Sequence, residues 1–350
     1  MIKASVSKYT LQFNRPSGTS RGILTEKDSW FISLFDSENP SIYGIGECSI
    51  IKGLSFDDRD DLDFKINEII EQINAGEIIS ISDLPHLPAL QFAIETAFLD
   101  FKNSGQRILF PSKFTEGIDS IKINGLIWMG DYDFMKSQIQ EKLKQGYSCI
   151  KLKIGAINFE EELSLLRKLR EEFKASELEI RVDANGAFSS HDALEKLKQL
   201  SEFELHSIEQ PIKQGKYAMM AELCANSPLP IALDEELIGI TDLDEKQSIL
   251  KLIKPQYIIL KPSLVGGFAK SKEWIDLANS LNIKWWVTSA LESNIGLNAI
   301  SQWTYTLNNS MPQGLGTGKL FINNIESPLT IEKDRLWFNP NTDWNLKQIL

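Results

Sequence analysis

Apolar and polar positions fall into two regimes along the chain. Up to about residue 115 strand patterns come first and helical ones follow. SWFISLF (29–35) reads as a strand, while DDLDFKINEIIEQINAG (60–76) and PALQFAIETAFLDFKNSG (88–105) carry apolar residues at helical spacing, each running into a glycine stop. Strands followed by helices predict an α+β unit. From about residue 120 short apolar runs alternate with amphipathic stretches: IKINGLIW, CIKLKI, EIRVDA, HSIEQP, PIALDE, YIILKP and KWWVTS, then a weaker eighth run at MPQGLGTG. A repeat of roughly 25–30 residues is one βα unit, and about eight of them close a parallel barrel. No amphipathic helix follows the eighth run, and PLTIEKDRLWF reads as strand. The expected architecture is therefore α/β: a modified (β/α)7β TIM-type barrel over 116–318, an α+β capping domain over 1–115, and a segment over 319–350 that returns to the cap.

The same rhythm would suit an open doubly wound sheet, which binds nucleotides at a strand-order reversal. No GxGxxG follows the first strand, and GLGTGKL fails the phosphate-loop pattern because Gln313 and Leu320 stand where it needs glycine and Ser or Thr. Nucleotide binding is excluded.

Composition changes the picture mainly by exclusion. The 350 residues are 42% hydrophobic and 24% charged, ordinary for a folded protein with a sizeable core. A formal charge of −11 without a basic cluster argues against a nucleic-acid partner. No apolar run is long enough to span a bilayer, and MIKASVSKYT lacks the core of a secretory signal, so a cytoplasmic location is expected, without membrane association. Cys48, Cys149 and Cys224 are few and scattered, as reduced core thiols are. Of three histidines only His206 lies near a site motif, and a histidine-based triad is not expected.

The chemistry lies where barrel strands end, since active sites form at that face. Strand two ends Lys151-Leu152-Lys153, strand three Arg181-Val182-Asp183-Ala184-Asn185, strand four Glu209-Gln210-Pro211, strand five Asp234-Glu235 and strand six Lys261-Pro262. Alternation puts Lys151 with Lys153, and Arg181 with Asp183 and Asn185, on faces directed at the barrel mouth. Asp183, Glu209 and Asp234 are oxygen-only donors that repel one another unless a cation sits among them, and Mg²⁺ suits a few carboxylates plus substrate oxygens better than Ca²⁺, with Mn²⁺ as its substitute. Strands two and six lie opposite in a ring of eight, so Lys153 and Lys261 are expected to face each other across the metal. Lys151 beside Lys153 disfavours a second ammonium and favours Lys153 as a base. A proton beside a carboxylate is too weakly acidic for an amine alone, so the metal is expected to stabilise the enediolate.

KLK, DAN, EQP, DE and LKP in this order resemble the enolase superfamily, in its muconate-lactonizing-enzyme-like subgroup, over nearly the whole chain. The resemblance implies Asp183, Glu209 and Asp234 as magnesium ligands, Lys153 and Lys261 as the acid/base pair, and a small-molecule carboxylate as substrate. PSGTSRGIL, TSALESNIG and GLGTG imply, within that subgroup, a syn loss of water from a cyclohexadiene carboxylate bearing a succinyl group. Lys153 would then serve as both base and acid, Lys261 would stabilise the enediolate, and Lys151 would tune Lys153 and touch the carboxylate. Specificity is expected from cap loops at 16–21, including Arg21, and 43–48, and from Ser289 and Gly316 at strands seven and eight. Asn185 and Arg181 complete the expected substrate contacts.

Four other readings stand beside this one. An N-acylamino acid racemase would use both lysines to exchange the substrate proton. A dipeptide epimerase would place an Asp-x-Asp at the eighth strand, where GLGTG offers no acid. A non-catalytic barrel that binds ligand would keep the fold without the reaction. A Schiff-base aldolase working through Lys261 or Lys153 would have no use for the acidic triplet. The oligomeric state is not legible in the sequence.

Overall fold

The structure, a computed structural model, describes residues 1–19, 22–80, 84, 86–155 and 157–350. Strands β1 (Ile2–Thr19), β2 (Gly22–Asp36) and β3 (Asn39–Ser49) form an antiparallel meander. Alternation along β2 sends Trp30, Ile32 and Leu34 to one face, where α1 (Leu62–Ala75) and α2 (Pro88–Lys102) cover them, and Phe31 to the other. Helix α1 stops at Gly76, which takes the left-handed conformation that favours glycine. Gly44 and Gly46 are glycines for another reason: a Cβ on either would lie 2.2 Å or less from a backbone oxygen of α2, so this helix rests directly on the β3 backbone. Residues 43–48, expected as a cap loop, are thus the interior of a strand. Residues 16–19 likewise continue β1, and Arg21 lies outside the described residues.

The second regime folds as the alternation predicts. After β4 (Ile121–Lys122) come β5 (Gly125–Ile127), α3 (Tyr132–Lys144), β6 (Cys149–Lys153), α4 (Phe159–Glu172), β7 (Glu179–Asp183), α5 (Ala193–Ser201), β8 (Ser207–Glu209), α6 (Tyr217–Asn226), β9 (Ile231–Leu233), α7 (Leu243–Ile253), β10 (Tyr257–Leu260), α8 (Pro262–Val265), α9 (Gly267–Ser280), β11 (Lys284–Val287) and α10 (Asn294–Thr306). Several helices start on a side-chain cap: Asp131, Asn158, Asp242 and Ser293 each accept a backbone N–H of the first turn. Strands β5 to β11 form one curled parallel sheet in sequence order. Ile150, Leu152, Ile180, Val182 and Ile208 point outward into the helix-facing core, which leaves Lys151, Lys153, Arg181, Asp183 and Glu209 for the inner face.

The weak eighth run joins the two edges of this sheet. Gln313 bridges Ile123 and Gly314 bridges Thr288, both in parallel sense, with Gln313 N donating to Lys122 O at 2.8 Å and Gly314 N to Val287 O at 2.8 Å. The tail then forms β12 (Leu329–Glu332) and β13 (Arg335–Phe338), and β13 pairs with β4. Ile325 and Ile349 of the tail cluster with Phe31 and Ile45 of the meander, with Trp344 and Leu346 packed against them. A carboxylate also ties the two parts: Glu47 on β3 accepts from Ser29 Oγ (2.8 Å) and from Ser293 N (2.9 Å), Ser293 Oγ (2.6 Å) and Gly296 N (2.9 Å) at the start of α10. Among the described residues no helix is long and apolar enough to cross a membrane.

Candidate active site

Strand register assembles the site. Lys153 pairs with Asp183 across β6 and β7, and Asp183 with Glu209 across β7 and β8, so three charged side chains stand in one row on the inner face. Asp234 follows β9, where the short helical turn 235–237 bends the chain. Lys261 follows β10 and is held there by Pro262, the first residue of α8. Gln210 locks the acids in place: its Oε1 accepts from Asp234 N (3.1 Å), and its Nε2 donates to Glu236 Oε2 (2.8 Å). Gln210 and Asn185 both adopt positive φ, 38° and 43°, strained for such residues and found where a strand must end abruptly at a site.

The acids and amines interleave. Lys151 Nζ stands 2.5 Å from Glu209 Oε2 and 2.8 Å from Asp183 Oδ2. Lys153 Nζ stands 2.6 Å from the same Asp183 oxygen and donates to Asn185 Oδ1 at 2.6 Å, while Lys261 pairs with Asp234. Asn185 Nδ2 reaches Glu235 Oε1 at 3.0 Å, adding a fourth carboxylate. Among the described residues no three His, Cys, Asp or Glu side chains are gathered round one point. The geometry therefore differs from the expected cation ringed by acids, with amines only on opposite walls: Lys151 lies between two of the acids.

Burial and mutual charge split the titrations. Burial opposes ionisation of Asp183, but Lys151 and Lys153 outweigh it and hold its carboxyl well below the usual range. Asp234 is lowered in the same way, burial being overcome by Lys261 and Lys151. Glu209 goes the other way, raised by burial and by Asp183, and Glu235 is raised by burial and Asp234. Burial works against the ammonium of Lys151, yet Asp183, Glu209 and Asp234 raise it above the ordinary value; Lys261 is raised likewise, chiefly by Asp234. Glu209 Oε1 is buried without a hydrogen-bond partner, an unsatisfied carboxyl oxygen within the cluster.

These charges form the floor of one pocket. Lys151, Lys153, Asn185 and Lys261 line it together with Ser289 and Gly316. Ser289 Oγ donates to Glu292 Oε2 (2.6 Å) and accepts from Thr317 Oγ1 (2.8 Å). Its roof is apolar: Leu24, Ile51 and Leu54 from the meander and its following turn, with Leu126 of β5 and Trp128 just beyond it. Those five carry no polar signal in the sequence. Glu235, next to Asp234, and Asn124, within IKINGLIW, also line the pocket, and neither interrupts an apolar run at a strand end as the other polar residues do.

Arg181 is not brought to the pocket. Alternation puts it on the inner face, one layer below Asp183, where it stacks on Trp286 (4.3 Å) and donates to Glu179 Oε1 (2.7 Å) and Pro312 O (2.9 Å). In a layered barrel interior, sharing a face with a mouth residue does not reach the mouth. His206 packs beside Tyr257 and Trp286 in that lower layer, its basicity pushed down to about 4 by burial. All three cysteines are free and buried.

The enolase C-terminal domain-like family model matches residues 135–337. An o-succinylbenzoate synthase from Desulfotalea psychrophila is 47% identical to this chain, over 95% of this chain and 97% of its own length. The crystal structure of MenC from Desulfotalea psychrophila LSv54 superposes with a TM-score of 0.86 at 43% identity, covering 96% of this chain and 99% of that one. An N-succinylamino acid racemase from an Amycolatopsis species is 26% identical over 80% of this chain and 76% of its own.

Proposed function

This chain belongs to the enolase C-terminal domain-like family, and from that premise we infer that it is a lyase catalysing the o-succinylbenzoate synthase reaction. The substrate is 2-succinyl-6-hydroxy-2,4-cyclohexadiene-1-carboxylate, the products 2-succinylbenzoate and water, and the role menaquinone biosynthesis. The carrying observation is the register row Lys153–Asp183–Glu209, whose Lys153 lines one pocket together with Lys151 and with Lys261, the partner of Asp234.

By donor chemistry Asp183, Glu209 and Asp234 would hold Mg²⁺, with Lys151 drawn out from between Asp183 and Glu209. They are buried oxygen donors on adjacent strand ends, and Glu209 Oε1 has no hydrogen-bond partner. When bound there, the ion would withdraw charge from the substrate carboxylate as the ring proton leaves. Lys153 Nζ, as the free amine, takes the proton from the ring carbon that bears the carboxylate, and the C–H electron pair moves into that carboxylate. The same ammonium then protonates the hydroxyl leaving from the neighbouring carbon on the same face. The C–O bond breaks, water departs and the ring becomes aromatic. Lys261, an ammonium held by Asp234, stabilises negative charge from the opposite side. The apolar roof excludes water from the carbanionic stage. The bridged segment 313–314 serves as the eighth strand of a (β/α)7β barrel under a cap formed by residues 1–115.

A racemase is the second reading, favoured by one observation: both lysines line the same pocket. The deciding experiment follows 2-succinylbenzoate by its ultraviolet absorbance, with Mg²⁺ and then with excess chelator. Turnover that the chelator abolishes is expected; no turnover in either condition removes this assignment. Proton exchange from heavy water in Lys153→Ala and Lys261→Ala separates the readings, since elimination needs exchange at Lys153 alone.

A further inference from the structure

A second, larger cleft adjoins the catalytic pocket and shares a wall with it. Asn124, Leu126, Trp128, Gly316 and Thr317 line both. The cleft is bounded by the arm at residues 14–17, by α3 and by the turn between β12 and β13, and it is basic: Arg15, Lys142, Lys319 and Lys333 line it against one acid, Glu141. Among the described residues none of these four cations forms an ion pair, and Glu141 is engaged with Gln145 Nε2 at 3.0 Å. Lys142 is built in rather than loose. Its stem crosses Gly125, where an added Cβ would meet it at 3.1 Å, and its ammonium lies 4.9 Å from the Tyr147 ring. Lys333 lies along Gly146, beside Tyr147. Burial pushes the Lys142 ammonium down, Glu141 pulls it back up, and the nearby Lys319 cation lowers it further, as expected for cations crowded around one cleft.

A chain of net charge −11 repels a dicarboxylate at long range, so an unpaired cationic patch beside the pocket reverses the local field. We propose that this cleft is a basic vestibule that draws the dianionic substrate toward the catalytic pocket along the shared wall. The inference rests on the dicarboxylate reading above, deepening it from what reacts to how the substrate arrives.

The test compares kcat/KM for 2-succinylbenzoate formation in three proteins: wild type, the exposed pair Lys319→Glu/Lys333→Glu, and a control of equal charge change, Lys251→Glu/Lys272→Glu, on the outer helices α7 and α9. At low salt the vestibule variant is expected to lose roughly five- to tenfold in kcat/KM through KM, with kcat unchanged, and the gap to close near ~0.5 M salt as screening shortens. The control is expected to stay within about twofold of wild type. Equal losses in both variants, or none in the vestibule pair while the wild type turns over, would overturn the vestibule alone. A wild type with no turnover at any salt overturns the assigned reaction and the vestibule with it.

Discussion

The floor and roof of the catalytic pocket are built by opposite means. Floor groups are charged, sit on or just past strand ends, and are fixed by hydrogen-bond register: Lys153, Asp183 and Glu209 cannot shift without moving three strands. Roof groups are apolar, come from a turn after β3 and from the start of β2, and are fixed by how the meander docks. In the proposed reaction the floor would set what bond breaks and the roof which ring is admitted.

The largest expected effect breaks the floor. Lys153→Ala should lower kcat by about 10³-fold or more, measured by the absorbance assay, because no other amine occupies its place beside Asn185. Next is Glu209→Gln, which should cost about 10²-fold in kcat and raise the Mg²⁺ concentration needed for half activity, read by metal titration. A rise in KM with kcat unchanged for either variant would dissolve the contrast.

Two further predictions address the roof. Glu47→Gln weakens three hydrogen bonds between β3 and the start of α10 and one from Ser29 on β2, and should destabilise the protein by about 2–3 kcal/mol in denaturant unfolding, since a buried acceptor of four bonds is replaced. Leu54→Ala should change kcat/KM by about fivefold through KM, with kcat nearly intact, as roughly 1 kcal/mol of apolar contact is lost. An equal fall in kcat would show that the roof also positions the reacting carbon.

The smallest effect sharpens the docking argument. Asp57, just past the roof turn, accepts from Ala89 N and Leu90 N at the start of α2. Burial nonetheless pushes its carboxyl up to about 7. In the unfolded chain it titrates near ~4, so the fold binds the extra proton between those values. Its contribution to stability is therefore present below about pH 4 and lost as pH rises toward 7. Asp57→Asn should flatten that decline in a pH series of melting temperatures; an unchanged slope would assign it to another group.

The floor was legible because each chemical residue interrupts an apolar run at a strand end, and the relation of KLK, DAN, EQP, DE and LKP to strand ends survives without coordinates. The alternating α/β plan and the two cap helices were legible for the same reason, period and stop signals. What failed was depth and docking. Arg181 shares the inner face but not the layer. Residues 43–48 look like a glycine-rich loop, yet Gly44 and Gly46 serve close helix contact within β3. Leu24, Ile51 and Leu54 meet the pocket only through tertiary packing, which leaves no local mark. The position of Lys151 between Asp183 and Glu209 depends on side-chain reach across three strands, which period alone does not measure.

The seam at Gln313 and Gly314 has a consequence for the order in which the protein is made. A ribosome delivers the meander before the parallel sheet, and these two bonding residues only after every strand from β5 to β11. Until then the curled sheet has two open margins, and the partners of Phe31 and Ile45 in the tail have not yet emerged. Chains cut short before residue 313 thus present strand margins to their neighbours, and the two edges of the sheet are joined only once residues 313 and 314 have emerged.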